Sequence, residues 1–378
     1  MSQYRIADTG DGPTEADLAR QLQLTAALRA HLRTAVADAL RTGEAPGAAV
    51  ALVADGQPVL TVGVGHRDLG RHRPLDVGAR FYAYSITKVF LAVALLRLVE
   101  QGRLALDDPI QAILPEVSLV DPVTVRQLLN HTGGLPDYGA LPKYRRDVRS
   151  NPAMPWTPDE FLAHSLQRGA RFLPGQGWAY SNIGFLLVRR AIARITQRSL
   201  HDTLVELVFR PAGLWQTLVA ESLEDAQRLT PGYSTQLDGD EALRDVTRRY
   251  HPGWVSHGVA ISTAADLARA VEALFGGQLL APGSLAAMLE AVPVPAEHPP
   301  FVQPGYGLGL MVDLGSSYGR VAGHAGGGPG YSTAAFHFPD VAGRRLTSVA
   351  LVNRDQPDLG PAIAFTLVTT YADHLGLR

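Results

Sequence analysis

Apolar side chains recur at helical spacing early in the chain. Leu18, Leu22, Leu24, Leu28, Leu32, Val36 and Leu40 mark one face of a helix over residues 16–42 that stops near Gly43. Two β-prone runs follow, Ala48-Ala49-Val50-Ala51-Leu52-Val53 and Val59-Leu60-Thr61-Val62. Between them stands Asp55-Gly56, a dipeptide that tolerates positive φ and so predicts a tight hairpin. From about 85 to 276 the apolar period becomes helical, most clearly over 86–101, 124–130, 158–167, 183–197, 201–209 and 263–275. Strand character returns at Tyr306–Val312, Ser332–Phe338 and Thr347–Asn353, and a last apolar helix covers roughly 360–375. Strands at both ends with helices between them predict an α+β protein, not alternating βαβ units. The expected architecture is an antiparallel sheet flanked by the terminal helices, with a mainly helical domain inserted. Residues 15–75 and 263–378 would form the sheet domain and 76–262 the helical one, with the active site in the cleft between them.

Composition narrows the field. The chain has 378 residues, too many for one simple core, and its 46% hydrophobic and 19% charged content is that of a soluble globular protein. A formal charge of −2 gives no support to a nucleic-acid partner. Without cysteine there are no disulfides, no thiolate catalysis and no sulfur-ligated metal. The 12 histidines show no His-Glu-x-x-His or similar ligand spacing, so neither metal nor cofactor is expected. The beginning Met1-Ser2-Gln3-Tyr4-Arg5 lacks a basic and apolar leader, and no run approaches a membrane span. The expectation is a cytoplasmic monomer or homo-oligomer with no membrane partner. The basic cluster Lys143-Tyr144-Arg145-Arg146 reads as a solvated loop, with the rim of a substrate site as the second reading.

Lysine usage is the first chemical signal. Lys88 and Lys143 are the only lysines, against 34 Lys and Arg together. Arginine cannot take a proton from a hydroxyl, whereas a desolvated lysine can. Ser85 lies three residues before Lys88, at the head of the apolar run Val89–Leu96, so on a buried helix the two side chains share a face. They form a candidate nucleophile and base, set against an ordinary snorkelling lysine near a helix end.

Three further segments bear on this pair. Pro174-Gly175-Gln176-Gly177-Trp178-Ala179-Tyr180-Ser181-Asn182 makes a turn at the mouth of the next helix. Ser181 or Asn182 could be its N-cap. Alternatively, Tyr180 would lie beside Lys88, whose ammonium would lower the phenol pKa for proton relay, and Asn182 would offer its amide to a substrate carbonyl. Gly323-His324-Ala325-Gly326-Gly327-Gly328-Pro329-Gly330-Tyr331 could let a substrate approach the backbone and free N–H groups for an anionic oxygen, or could be a plain glycine-rich hairpin. In Leu128-Leu129-Asn130-His131-Thr132-Gly133-Gly134-Leu135-Pro136-Asp137-Tyr138 a helix ends in an ordered turn, and His131 reads as a structural histidine before a second base.

Taken in order, these segments resemble the serine β-lactamase and penicillin-binding-protein superfamily, in particular its class C-like branch of esterases, D-aminopeptidases and DD-carboxypeptidases. Ser85-Ile86-Thr87-Lys88 is similar to its Ser-x-x-Lys motif, Tyr180-Ser181-Asn182 to Tyr-x-Asn, and His324-Ala325-Gly326 to the third motif, Lys-Thr-Gly in true β-lactamases. The resemblance spans roughly residues 45–355. It implies a β-lactamase/transpeptidase-like fold and an acyl-serine mechanism, with Ser85 attacking a carbonyl and Lys88 and Tyr180 sharing its proton. It implies an oxyanion hole from the backbone N–H groups of Ser85 and Gly327, and substrate contacts from Asn182, His324, Gly326 and Tyr84. Two departures shift the expected substrate from β-lactams toward small esters, with amides or short peptides next. His324 replaces the charged lysine, and Tyr84 stands where the family most often has a small residue. A carboxylesterase-like hydrolase is the leading expectation, ahead of a D-amino-acid peptidase, a DD-carboxypeptidase or a weak β-lactamase. A penicillin-binding sensor without turnover and an acyltransferase are the competing readings from outside hydrolysis.

Overall fold

Asp55 and Gly56 both adopt positive φ, 49° and 79°, and the chain reverses there as the dipeptide predicts. The computed structural model describes residues 15–238, 242–356 and 358–376, with side chains from Thr25 onward. The expected contributions of Leu18, Leu22 and Leu24, and the leaderless beginning, lie outside the described residues or side chains.

Helix α1 (Glu15–Thr42) leads into β1 (Gly47–Ala54) and β2 (Gln57–Gly65). Strand β3 (Phe81–Tyr82) and a 3₁₀ turn (Tyr84–Ile86) precede α2 (Thr87–Glu100). Helices α3 (Ile110–Ile113), α4 (Val125–Leu129), α5 (Pro142–Ser150), α6 (Pro158–Leu166), α7 (Asn182–Thr196) and α8 (Leu200–Leu204) follow. Strands β4 (Leu218–Ala220), β5 (Tyr233–Ser234), β6 (Arg244–Asp245) and β7 (Val259–Ser262) come next, then α9 (Ala264–Phe275) and α10 (Pro282–Leu289). The last group is β8 (Val292–Pro293), β9 (Pro304–Tyr306), β10 (Met311–Asp313), β11 (Val321–Gly328), β12 (Tyr331–Val341), β13 (Arg344–Val352) and α11 (Leu359–His374). Eight strands form one antiparallel sheet in the order β2-β1-β13-β12-β11-β10-β9-β8, while β3-β7-β4 and β5-β6 make two smaller ones. The class is α+β with antiparallel sheets, as the element order predicts.

Side-chain alternation in β1 explains the layering. Ala49, Ala51 and Val53 join the core that holds α2 and α9, while Ala48, Val50, Leu52 and Ala54 join the core beneath α1 and α11. A strand apolar on both faces needs cover on both faces, and helices supply it. Leu32 and Val36 of α1 and Ile363 and Leu367 of α11 are fully buried in the second core, each contributing about 1.5–3 kcal/mol of hydrophobic stabilisation.

Three expectations need correction. The run Tyr306–Val312 is not one strand but the turn between β9 and β10. Gly307 N–H bonds the Leu310 carbonyl, and Gly309, at φ 75°, leaves no room for a Cβ beside Ala92 of α2. Packing against the helix overrides the strand pattern there. The segment 201–209 is α-helical only through Leu204 and widens to a π-helix over Val205–Phe209. The basic cluster at 143–146 is not a loop but part of α5, which Pro142 starts at a position where its missing N–H costs nothing.

Candidate active site

The turn that carries Ser85 is held from several sides. Ala83 N–H donates to the Ala260 carbonyl of β7 (2.8 Å), and Ala260 N–H donates to Thr87 Oγ1 (2.9 Å). Thr333 Oγ1 of β12 donates to the Ala83 carbonyl (3.2 Å). Within this clamp Tyr84 adopts φ 45°, a left-handed conformation that costs a non-glycine residue about 1–3 kcal/mol. Its ring is buried, with the hydroxyl donated to the Pro329 carbonyl (2.6 Å), so Tyr84 pins the β11–β12 turn and also lines a cavity.

Lys88, on the first turn of α2, has 0% exposure. Its Nζ lies 3.1 Å from Ser85 Oγ, 2.8 Å from Asn182 Oδ1 and 3.2 Å from His257 Nε2. Tyr180 donates its hydroxyl to the same Ser85 Oγ at 2.9 Å. Ser85, Lys88 and Tyr180, 95 residues apart at the extremes, therefore meet at one oxygen. Among the described residues no carboxylate touches the amine. Burial pulls the Lys88 pKa well below its ordinary value, and the charge of Asp137 offsets only part of that. Tyr180 corrects an expectation: its pKa is raised, not lowered, because burial outweighs the stabilising Ser85 hydrogen bond. The phenol is thus neutral at rest, and the amine gives up its proton more readily than an ordinary lysine.

Asn182 is oriented by a residue that the sequence pattern does not single out. Asp137 accepts the Asn182 backbone N–H at 2.8 Å and approaches its Nδ2 at 3.4 Å. A carboxylate can only accept, so the amide nitrogen faces Asp137 and Oδ1 faces Lys88. The side-chain amide expected for a substrate is thereby partly committed. Burial raises the Asp137 pKa against the lowering effect of these N–H donors. Ser181, not Asn182, is the N-cap of α7, accepting from Gly184 N–H.

Histidines surround the amine without charging it. His131 accepts Ser181 N–H at Nδ1 (3.2 Å), and its ring centroid lies 4.4 Å from that of Tyr180, a structural placement. His257, from the turn before β7, is also buried. Burial first, then the positive charge of Lys88, lowers the pKa of both. Neither His257 nor Asp137 sits in a spacing that signals chemistry, since each reaches the site only through tertiary packing.

Strand β11 closes the other side. His324 has 2% exposure, and its Nδ1 faces the Ala325 carbonyl, which can only accept. Nδ1 therefore carries the proton, and Nε2 accepts the Tyr306 hydroxyl at 2.7 Å. Burial and the nearby Lys88 pull the His324 pKa down to about 3, so this position supplies no positive charge near neutral pH. Gly326 is packed so closely on the Ser85 turn that a Cβ would sit 2.4 Å from the Ala83 oxygen and 3.1 Å from Ser85 N. A Cβ at Gly327 would meet nothing within 4 Å. Strand β10 pairs only with Val321–Gly323, which leaves that edge of β11 open from His324 onward. Ala325 N–H points to this edge, toward Met311 Sδ at 3.4 Å, and two residues on, Gly327 N–H has the same direction.

Ser85 borders two cavities. One, about 470 Å³, also touches Asn182, His257 and Gly327 and extends to α5. The other, about 430 Å³, touches Tyr180, Trp178, Tyr306 and Met311 and is largely apolar. Among the described residues no group of three or more His, Asp and Glu side chains gathers as metal ligands, and no helix is long and apolar enough to cross a membrane.

The Beta-lactamase family model matches residues 30–371 of this chain. Penicillin-binding protein 4* of Bacillus subtilis (strain 168) is 29% identical over 301 residues, 77% of this chain and 64% of that protein. A D-aminopeptidase of Cereibacter sphaeroides is 27% identical over 82% of this chain and 57% of its own length, so the chain spans under two thirds of either relative. A D-stereospecific amidohydrolase from Streptomyces sp. superposes with a TM-score of 0.75 at 29% identity, covering 91% of this chain and 98% of that one. With the family model spanning nearly the whole chain, this protein belongs to the β-lactamase family of serine hydrolases.

Proposed function

We propose that the protein hydrolyses a small amide or ester through an acyl-Ser85 intermediate. The observation that carries this reading is the convergence of Lys88 Nζ and the Tyr180 hydroxyl on Ser85 Oγ, at 3.1 and 2.9 Å. The neutral Lys88 amine takes the Ser85 proton as Oγ bonds the carbonyl carbon. Backbone N–H groups of Ser85 and Gly327 receive the resulting oxyanion, a type of contact worth about 3 kcal/mol of barrier per donor. The leaving nitrogen or oxygen takes a proton from Tyr180, and the proton held by Lys88 refills the phenol. Water then attacks the acyl carbon, gives up a proton to the same pair and restores Ser85. Lys88 and Tyr180 act as one coupled unit, with the amine as the resting base. Asp137, through Asn182, positions the amine. The cleft lies where the proposed sheet domain (15–75 and 263–378) meets the helical segment 76–262.

Esters are the leading expectation from sequence; the similarity to amidohydrolases and aminopeptidases supports amides equally. The test combines a fluorophosphonate label, located by mass spectrometry, with turnover of a p-nitrophenyl ester and a D-amino-acid p-nitroanilide. Labelling at Ser85 and loss of both activities in Ser85→Ala are expected. Labelling elsewhere, or turnover that survives in Ser85→Ala, would overturn the mechanism. A penicillin adduct that never hydrolyses would favour a sensor, and faster ester consumption on adding an amine acceptor would favour acyl transfer.

A further inference from the structure

Helix α5 presents an unusual arrangement of charge. Arg145 and Arg149 lie one turn apart, so their side chains leave the same face. Both are exposed, and both border the cavity of about 470 Å³ that ends on Ser85 and Asn182. This volume is within the range of small-molecule clefts, about 300–1,000 Å³. The Arg145 guanidinium has no hydrogen-bond or ion-pair partner among the described residues. Arg149 uses Nε on the Gln236 carbonyl (3.0 Å), and its terminal nitrogens have no partner among the described residues. The carboxylate nearest in sequence, Asp147, is already taken by Lys143 (2.6 Å), Arg146 (3.5 Å) and Trp156 Nε1 (3.0 Å). Among the described residues no Asp or Glu lines the cavity. Like charges at i,i+4 destabilise an isolated helix, so folding alone gives no reason for this pair.

The opposite cavity has different chemistry: Trp178, Phe301, Tyr306 and Met311 make it apolar, and Tyr180 opens onto it. In the acyl-Ser85 reading Tyr180 protonates the leaving group, which places the leaving group there and the acyl chain on the α5 side. His324 is neutral and bonded to Tyr306, so it adds no cationic site next to the serine.

We propose that Arg145 and Arg149 form an anion subsite for the far end of the acyl group. The substrates would be half-amides or half-esters whose acyl chain ends in a carboxylate and whose leaving group is apolar. An acyl chain whose far end carries an ammonium group would meet like charge there.

The inference rests on the acyl-Ser85 mechanism, and one substrate pair separates the two. The wild-type protein and the Arg145→Gln/Arg149→Gln double variant are compared on p-nitrophenyl butyrate and mono-p-nitrophenyl glutarate. In the wild type the glutarate ester should have the higher kcat/KM. In the double variant the glutarate-to-butyrate ratio should fall about tenfold, mostly through KM, as loss of charge-assisted hydrogen bonds predicts. The wild-type ratio should also fall with added salt. A thermal melt that does not move shows that the ratio reports binding and not folding. A wild-type preference for butyrate, or a ratio that survives in the double variant, overturns the subsite while leaving the hydrolase intact. Absence of turnover of both esters overturns both.

Discussion

At the scale of single residues, the proposed mechanism turns on a buried amine whose pKa its surroundings lower. Because burial lowers the Lys88 pKa, the free base is present above that lowered value and is lost as pH falls through it. A pH profile of kcat/KM should therefore show an acid limb well below the ordinary lysine range, and a profile that rises only toward about pH 10 would contradict this. Lys88→Met removes the base and buries no new charge, so kcat should fall about 10²- to 10⁴-fold while the protein still folds. The Asp137 charge raises the Lys88 pKa, so Asp137→Asn should move the acid limb to lower pH. A limb that stays in place would remove Asp137 from the positioning role. Ser85, Lys88 and Tyr180 are legible in sequence because their motifs are local and the chain is almost free of other lysines. Asp137 and His257 are not, because a loop aspartate and a lone histidine acquire meaning only from what folds against them. The expected direction of the Tyr180 pKa fails for a related reason. It weighs only a neighbouring ammonium, whereas burial of the phenol itself sets the direction.

At the scale of elements, the site depends on how closely β11 can approach the Ser85 turn. Gly326 and Gly327 are adjacent, yet their surroundings differ. A methyl at 326 would collide with the Ala83 carbonyl and Thr333 Oγ1 (2.4 and 2.5 Å), while one at 327 enters open space. Gly326→Ala should cost about 1–3 kcal/mol, seen as a lower Tm, and should reduce kcat by pushing the strand off the turn. Gly327→Ala should leave Tm unchanged and raise KM, since its methyl protrudes into the proposed oxyanion site. Equal melting temperatures for the two variants would refute this packing. Period and turn chemistry make the α1, β1–β2 and α7 readings accurate, because those elements obey local rules. They fail at Tyr306–Val312, where a β-prone run is bent by Gly309 against Ala92, and at α5, where basic character hides a helix.

At the scale of the whole molecule, a site built from buried neutral groups ties stability to acidity. His131, His257, His324 and His337 all have pKa values lowered first by burial, those of His324 and His337 to about 3 and about 4. Below the ordinary histidine value of about 6.5 the unfolded chain takes up protons that the folded chain refuses, so stability falls with pH from there toward the lowered values. Asp137 and Asp355, whose pKa values burial raises, act in the opposite sense, because the folded state then binds the proton first. The four histidines outnumber them. The urea midpoint should therefore drop between about pH 7 and pH 4.5, with each such histidine contributing at most about 1.4 kcal/mol per pH unit. His324→Asn leaves an acceptor for the Tyr306 hydroxyl but removes one titrating group, so its midpoint should depend less steeply on pH than that of the wild type. If the two slopes coincide, His324 is not held neutral in the folded protein, and the positive charge it would then add beside Ser85 would return β-lactam carboxylates to the candidate ligands.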